Sequence, residues 1–423
     1  MLFFALFLGN NDYVKNPYLR GKMVEALSSY MPQDDGMDDA HPWDVRRART
    51  PRASQEVAAM VDAHPLVVEN LIKALVLLFV EIERTDRNNA FYEKFSTRYQ
   101  IGEVMVYLWD HPGHRAAWRR VAEEDPKLYI RFINMMINDS QYLLQEALDT
   151  LPEVRTIEME MADEQTWQSL PDAAREERSQ NLESHRRHLL SDFGLASIYL
   201  KLMKITSDDP QIAARFFNVQ VRDRQARILD FFLRYLTLPN ERKRLKLKNP
   251  EKYGWRPREL ISSLALIHAK LYRANREEWS QAVAADTDYY GTSPDIFDHL
   301  VSILTSLGTD ATTVSSIESL KEDAAAAVRA STLDEENFDE VPEEFEDPLS
   351  YRLMKDPVKI PSGTILDRST ILQHLLTDNR DPFSREPMTE DDLVEELELK
   401  DRIHAWLAEQ RRKSIHPPDD MEQ

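Results

Sequence analysis

The sequence predicts a mainly α chain: a long body of paired helices, then a small α+β module near the C-terminus. Three observations carry that prediction. Apolar residues recur with a helical period from about residue 15 to 310. β signals are almost absent before residue 350. An acidic stretch, 333–346, separates the helical text from a short segment with hairpin grammar. Successive helices with no strict repeat read as an α-solenoid of degenerate repeats; a compact multi-helical bundle is the alternative.

The elements follow in order. The opening MLFFALFLGN has the apolar run of a signal peptide but no basic n-region and no small-residue cleavage site. It is expected to be a buried helix that lacks its upstream partner. In HPLVVENLIKALVLLFVEIER, Val68, Leu71, Ile72, Leu75, Phe79 and Ile82 form one apolar face. In DPKLYIRFINMMINDSQYLLQEALDTL the same role falls to Leu128, Phe132, Met136, Leu143, Ala147 and Leu151. Further helices are expected near 189–205, 212–238, 257–275 and 294–307. Asp125-Pro126, Asp209-Pro210 and Ser293-Pro294 each place a capping side chain before a proline suited to the first helical turn. The polar stretch 153–188 reads as exposed helix with a turn near Pro171. The run Ala74 to Val80 is too short to span a bilayer.

Composition narrows the function. The chain has 423 residues, a formal charge of −21 and no cysteine. Such acidity argues against phosphate-rich partners, so neither nucleic acid nor an anionic membrane is expected as a ligand. Without cysteine the chain has no disulfide, no thiolate metal site and no thiol nucleophile. The basic run ERKRLKLK, 241–248, reads as solvated helix-end charge in preference to a nucleic-acid contact. The histidine pairs HPGH (111–114) and HRRH (185–188) lack a third ligand pattern, so no metal and no cofactor are expected.

The segments divide as a body (1–332), an acidic linker (333–346), a module (347–415) and a tail (416–423). Within the module, Val358 to Ile360 and Thr364 to Leu366 are strand candidates around a Pro361-Ser362-Gly363 turn. Asp367 or Ser369 can cap the helix that follows, TDNRDPFSREP is a loop, TEDD fits a capping box, and Leu397 to Leu407 make a terminal helix. Leu353, Met354, Val358, Ile360, Ile365, Ile371 and Leu375 are its candidate core.

The line DPLSYRLMKDPVKIPSGTILDRSTILQHLLTDNRDPFSREPMT resembles the U-box, a RING-like fold in which hydrogen bonds replace zinc. Asp-Pro-Leu at 347–349, Asp356-Pro357-Val358, Asp367-Arg368, His374-Leu375 and Asp381-Pro382-Phe383-x-Arg385 carry the likeness. Together with NPYLRGKMVEAL (16–27) and the helical body, it is similar to the ubiquitin fusion degradation and ubiquitin-chain elongation factor family. Members carry a long additional N-terminal portion, and this chain begins within the resembled core. The resemblance implies an armadillo-like body and ubiquitin ligase activity on substrates that already bear ubiquitin. It implies a conjugating enzyme, ubiquitin and an AAA segregase ATPase as partners, in cytoplasm and nucleus.

Ligases either accept ubiquitin on their own cysteine or position a conjugating enzyme that carries it. A chain without cysteine is left with the second route. By resemblance Leu349, Ser350, Tyr351, His374 and Pro382 dock the conjugating enzyme, and Arg385 is the linchpin bridging enzyme and ubiquitin through its fixed fork of donors. Asp356, Ser362, Asp367 and Arg368 form the structural hydrogen-bond network, each with a local turn or cap as the alternative role. Tyr351 as a core aromatic, His374 as a surface histidine and Arg385 as a plain surface charge are the competing readings. The competing functions are a U-box ligase of another pathway and a non-enzymatic helical adaptor.

Overall fold

A computed structural model of the chain describes residues 1–31, 51–82, 90–335, 341–376 and 378–415. The expected tail, 416–423, lies outside the described residues, as do residues 336–340 of the expected linker.

The body opens with α1 (Leu2–Phe7), α2 (Pro17–Ser28), α3 (Pro51–Asp62), α4 (Pro65–Glu81), α5 (Ala90–Trp109) and α6 (Pro112–Glu124). A helical hairpin follows, built from α7 (Pro126–Ala162) and α9 (Asp172–Thr206) with the short α8 (Glu164–Ser169) at its tip. Next come α10 (Pro210–Ala213), α11 (Arg222–Thr237), α12 (Pro239–Arg244), α13 (Pro257–Ala274), α14 (Arg276–Ala284), α15 (Ile296–Ser306) and α16 (Ala311–Glu335). Proline-first starts are capped where the sequence predicts. Asp125 accepts the Leu128 N–H at 3.1 Å and Asp209 the Gln211 N–H at 3.1 Å, satisfying amides a helix start leaves unpaired. Ser293-Pro294 differs: the Ser293 carbonyl accepts the Ile296 N–H in a turn, and α15 starts two residues later than expected.

Each helix packs mainly on partners within four elements along the chain. α4 meets α1, α6 and α7; α5 meets α2 and α9; α11 meets α13, α14 and α15; α16 covers α13, α14 and α15. Short-range pairing of this kind builds a solenoid, and one apolar cluster runs continuously from Ala5 to Ala324. The first helix joins this core through Ala5 and Leu8, and Gly9 sits so close to α4 that a Cβ there would come 2.9 Å from Ala74 Cα. Within the core, Arg98 lies over the Phe79 ring, donates to the Phe79 carbonyl at 3.1 Å and meets Asp139 at 2.6 Å. The basic run is solvated: Leu245 and Leu247 are buried while Arg242, Lys243, Arg244, Lys246 and Lys248 face outward. His111 bonds Asp62 at 2.7 Å and His114 the Val61 carbonyl at 3.1 Å, fastening α6 to the end of α3. Among the described residues no single helix is long and apolar enough to cross a membrane.

α16 carries the chain through Glu335, and Phe345 is already buried in the module, so the described parts of 333–346 belong to the elements on either side. The module holds β1 (Pro357–Lys359), β2 (Ile365–Asp367), α17 (Arg368–Leu375), β3 (Val394–Glu395) and α18 (Leu397–Ile415). The sheet order is β2-β1-β3, antiparallel, with Val358 opposite Leu366 and Lys359 opposite Val394. Gly363, at φ 88°, makes the hairpin turn that L side chains resist. Two small cores support it: Val358, Ile360, Leu366, Ile371 and Met388 form one, and Phe345, Met354, Leu399 and Ile403 the other.

Candidate functional site

The module repeats one local design. Asp347-Pro348-Leu349-Ser350-Tyr351-Arg352 and Asp381-Pro382-Phe383-Ser384-Arg385-Glu386 are two loops with the same bonds. In the first, Asp347 Oδ1 accepts the N–H groups of Leu349 and Ser350, each at 2.8 Å. In the second, Asp381 Oδ1 accepts those of Phe383 at 2.8 Å and Ser384 at 3.0 Å. The Asp347 carbonyl accepts the Tyr351 N–H at 2.8 Å, and the Asp381 carbonyl that of Arg385 at 2.9 Å. Each loop then closes by its own aspartate N–H donating to the sixth residue, Arg352 at 2.8 Å and Glu386 at 2.9 Å. An aspartate side chain that caps its own turn is the local reason this pattern folds so.

The fifth residue of each loop, Tyr351 at φ 53° and Arg385 at φ 64°, occupies the left-handed region that non-glycine residues avoid. They are the two non-glycine residues with positive φ among those described. Such strain persists where surrounding bonds over-determine it, and here both loops are pinned from behind.

The second oxygen of each aspartate does the pinning. Asp347 Oδ2 accepts the Asp367 N–H at 2.7 Å, and Asp381 Oδ2 accepts the Ser362 N–H at 2.9 Å. Asp367 extends the first brace: its Oδ2 accepts the N–H groups of Lys355 at 2.6 Å and Asp356 at 2.9 Å, while Oδ1 caps α17 at Ser369. Charge-assisted bonds of this type contribute roughly 1.5–3 kcal/mol each. For Asp381, burial pushes the carboxyl up, but the N–H groups of Ser384, Phe383 and Ser362, with the Ser362 side chain, outweigh it and hold the pKa at about 2.

Asp356, already bonded to Asp367 through its N–H, and Arg368 add an ionic cluster to this brace. Arg368 Nε donates to Asp356 at 2.8 Å, Lys400 Nζ reaches the other Asp356 oxygen at 2.7 Å, and Arg368 Nη2 reaches Glu395 at 2.8 Å. The Lys400 bond first, then Arg368, keep the Asp356 carboxyl below its ordinary range against some burial. Of the four residues expected to share one network, Asp367, Asp356 and Arg368 are linked, since Asp356 donates its N–H to Asp367 and accepts from Arg368, while Ser362 stands apart and braces loop two through its backbone.

The loop tips present exposed side chains, and Val394 and Leu397 on β3 and the start of α18 are exposed as well. Leu349 is 41% exposed, Tyr351 78% and Phe383 47%, so Tyr351 is no core aromatic. Ser350 and Arg385 are exposed and Pro382 half-buried. His374 on α17 bonds the Arg380 carbonyl through Nε2 at 2.8 Å, so the helix start is tied to loop one through Asp367 and its last turn to loop two. Arg385 Nη1 lies 3.9 Å from Asp378.

Sequence reasoning missed Asp347 and Asp381 as the bracing residues and Phe383 as a tip residue. The signal was present in the repeated Asp-Pro-x-Ser, whose two copies show their equivalence once the bonds are seen. Glu395 and Lys400 carried no local signal, because their partners, Arg368 and Asp356, lie 27 and 44 residues away in sequence.

Fold and site define a class: a helical solenoid that ends in a RING-like module braced by carboxylates. Residues 1–325 match the ubiquitin elongating factor core family and residues 341–412 the U-box domain. The chain belongs to that family and carries a U-box. It is 35% identical over 416 residues to a probable ubiquitin conjugation factor E4 of Arabidopsis thaliana, covering 98% of this chain and 38% of the relative. It is 32% identical over 415 residues to the E4 ubiquitin-protein ligase UFD2 of Saccharomyces cerevisiae, covering 96% and 40%. The chain thus spans about two fifths of the length of the curated relatives it matches.

Proposed function

We propose that the chain acts as a U-box ubiquitin ligase that elongates ubiquitin chains on substrates already carrying ubiquitin. It binds a ubiquitin-charged conjugating enzyme non-covalently and promotes transfer to a lysine. The observation that carries the reading is the pair of pinned loops presenting Leu349, Tyr351 and Phe383 to solvent in a chain with no cysteine of its own. Partly exposed apolar tips on a rigid frame suit a weak, exchangeable interface.

The roles follow from position. Leu349, Ser350, Tyr351 and Pro382 contact the conjugating enzyme, joined by Phe383. His374 supports this face through its bond to loop two. Arg385, held outward by its left-handed backbone, bridges enzyme and ubiquitin and limits the conformations of a flexible conjugate. Family likeness supports an AAA segregase ATPase as a partner on the helical body, and work in cytoplasm and nucleus.

The test is extension of a ubiquitin-fusion substrate with conjugating enzyme, comparing the intact chain with Arg385→Ala and Leu349→Ala. Chain growth by the intact protein and its loss in both variants is expected. Equal growth in all three would remove the site assignment, and none in the intact, folded chain would favour a helical adaptor.

A further inference from the structure

Leu375 and Leu376 are neighbours at the end of α17, yet they serve different cores. Leu375 packs against the module cluster of Val358, Ile360, Leu366, Ile371 and Met388. Leu376, 9% exposed, joins the cluster of the helical body. A side chain at the end of a module helix is thus buried within the cluster of the helical body.

Two polar contacts flank it. Arg352 Nη2 donates to Thr287 Oγ1 at 3.4 Å, and Lys127 Nζ at the start of α7 lies 3.5 Å from Glu390. The Thr287 loop is built stiffly. Asp286 is buried and accepts the N–H groups of Asp288, Tyr289 and Tyr290 at 3.1, 3.2 and 3.0 Å. The Gly291 N–H closes the loop on the Asp286 carbonyl at 2.8 Å, so tightly that a Cβ on Gly291 would come 2.9 Å from Thr287 Cα. Arg227 on α11 approaches Asp288 at 3.6 Å. Contacts this small would not hold two separate proteins, but a covalent connection raises their effective concentration enough to keep them formed.

The placement matters because these contacts adjoin the candidate docking residues. Arg352 follows Tyr351, and Leu376 lies two residues beyond His374. With the body in place, Leu349, Tyr351 and Phe383 stay exposed. We propose that the helical body carries a seat for the U-box, formed by the Asp286–Gly291 loop and the start of α7, which holds the module in its working orientation with the docking loops outward. The word working rests on the proposed ligase function; the seat itself does not.

The absence of cysteine makes the test clean. In the full chain, Lys127→Cys with Glu390→Cys is treated with a short bismaleimide, and the rate of intramolecular cross-linking is followed. Adding Leu376→Asp should slow it about tenfold, because an apolar anchor becomes a charge while the tether is unchanged. Adding Thr287→Ala with Arg352→Ala, which touches neither core, should slow it about two- to threefold. Retained binding of conjugating enzyme by the Leu376→Asp chain shows that the module is still folded. The cross-linked parent should keep its ubiquitin transfer. Cross-linking insensitive to both changes, or loss of transfer on cross-linking while the untreated double variant stays active, would overturn the seat. A chain inactive before cross-linking counts against the proposed function alone, since the rates still report on the seat.

Discussion

Asp347 accepts the backbone N–H of Asp367 at 2.7 Å, across twenty residues of sequence, and Asp367 in turn accepts the N–H groups of Lys355 and Asp356. Two carboxylates in series therefore join the first loop, the strand entry and the start of α17. Asp381 does the corresponding work for the second loop with a single side chain.

Removing either brace should loosen its own loop. Asp347→Ala and Asp381→Ala each leave three buried or half-buried N–H donors without their acceptor, and each is expected to cost about 2–4 kcal/mol of local stability. Hydrogen exchange should rise at Leu349, Ser350 and Asp367 in the first variant and at Ser362, Phe383 and Ser384 in the second. Unchanged protection would show that other contacts hold the loops.

Acid should act through the same groups. The folded-state pKa values of Asp381 and Asp356 are depressed, so their contribution is complete above the unfolded value of about 4 and is lost as pH falls toward the folded values. Near-ultraviolet dichroism or exchange at the loop amides should hold steady from neutral pH to about 4 and decline between about 4 and 2. In Asp381→Asn that decline should shrink for loop two.

Backbone strain and chemistry separate at Arg385. Arg385→Gly relieves a left-handed residue, which costs about 1–2 kcal/mol for an L side chain, so module stability should hold or rise. Ubiquitin discharge to free lysine should nonetheless fall at least about tenfold, because the guanidinium is gone. Activity equal to the parent would assign Arg385 to structure only.

The tip residues should matter for binding and little for folding. Leu349→Ala and Phe383→Ala each remove an exposed apolar side chain. A loss of about 1–2 kcal/mol in affinity for conjugating enzyme is expected, roughly five- to thirtyfold, with the thermal midpoint unchanged. Calorimetric titration checks both.

Inside the body, Asp139→Ala removes the carboxylate that meets the fully buried Arg98 guanidinium at 2.6 Å, leaving that charge without its counter-ion at this position. A cost of about 3–5 kcal/mol is expected in chemical denaturation of the helical signal. Replacing the pair together, Arg98→Met with Asp139→Leu, should recover much of it.

Helical periodicity made the body legible, since it needs only local spacing: the face of Leu71, Ile72, Leu75 and Phe79 is buried as written. α16 was not legible as an element, because its alanine-rich stretch shows little contrast between faces. In the module the hairpin, the Asp367 cap and Met354, Val358, Ile360 and Ile371 were readable from turn chemistry and pattern. Met388 was not, being buried by partners remote in sequence, and Leu366 was missed although its partners Val358, Ile360 and Ile371 lie in the same hairpin and the helix after it. β3, two residues long, gains its pairing from β1 and has no signal of its own. The resemblance pointed to the docking residues, but the load-carrying acids emerged only from bond geometry. A carboxylate that braces and one that merely caps look alike in a sequence.

The most direct measurement is ubiquitin discharge from a charged conjugating enzyme to free lysine, run on the full chain with and without prior strong chelation and beside Asp347→Ala and Asp381→Ala. If carboxylates brace a module that clamps another protein's thioester, chelation leaves the rate unchanged and both variants lose at least about tenfold. A rate abolished by chelation, or variants that discharge at the parental rate, would contradict the account.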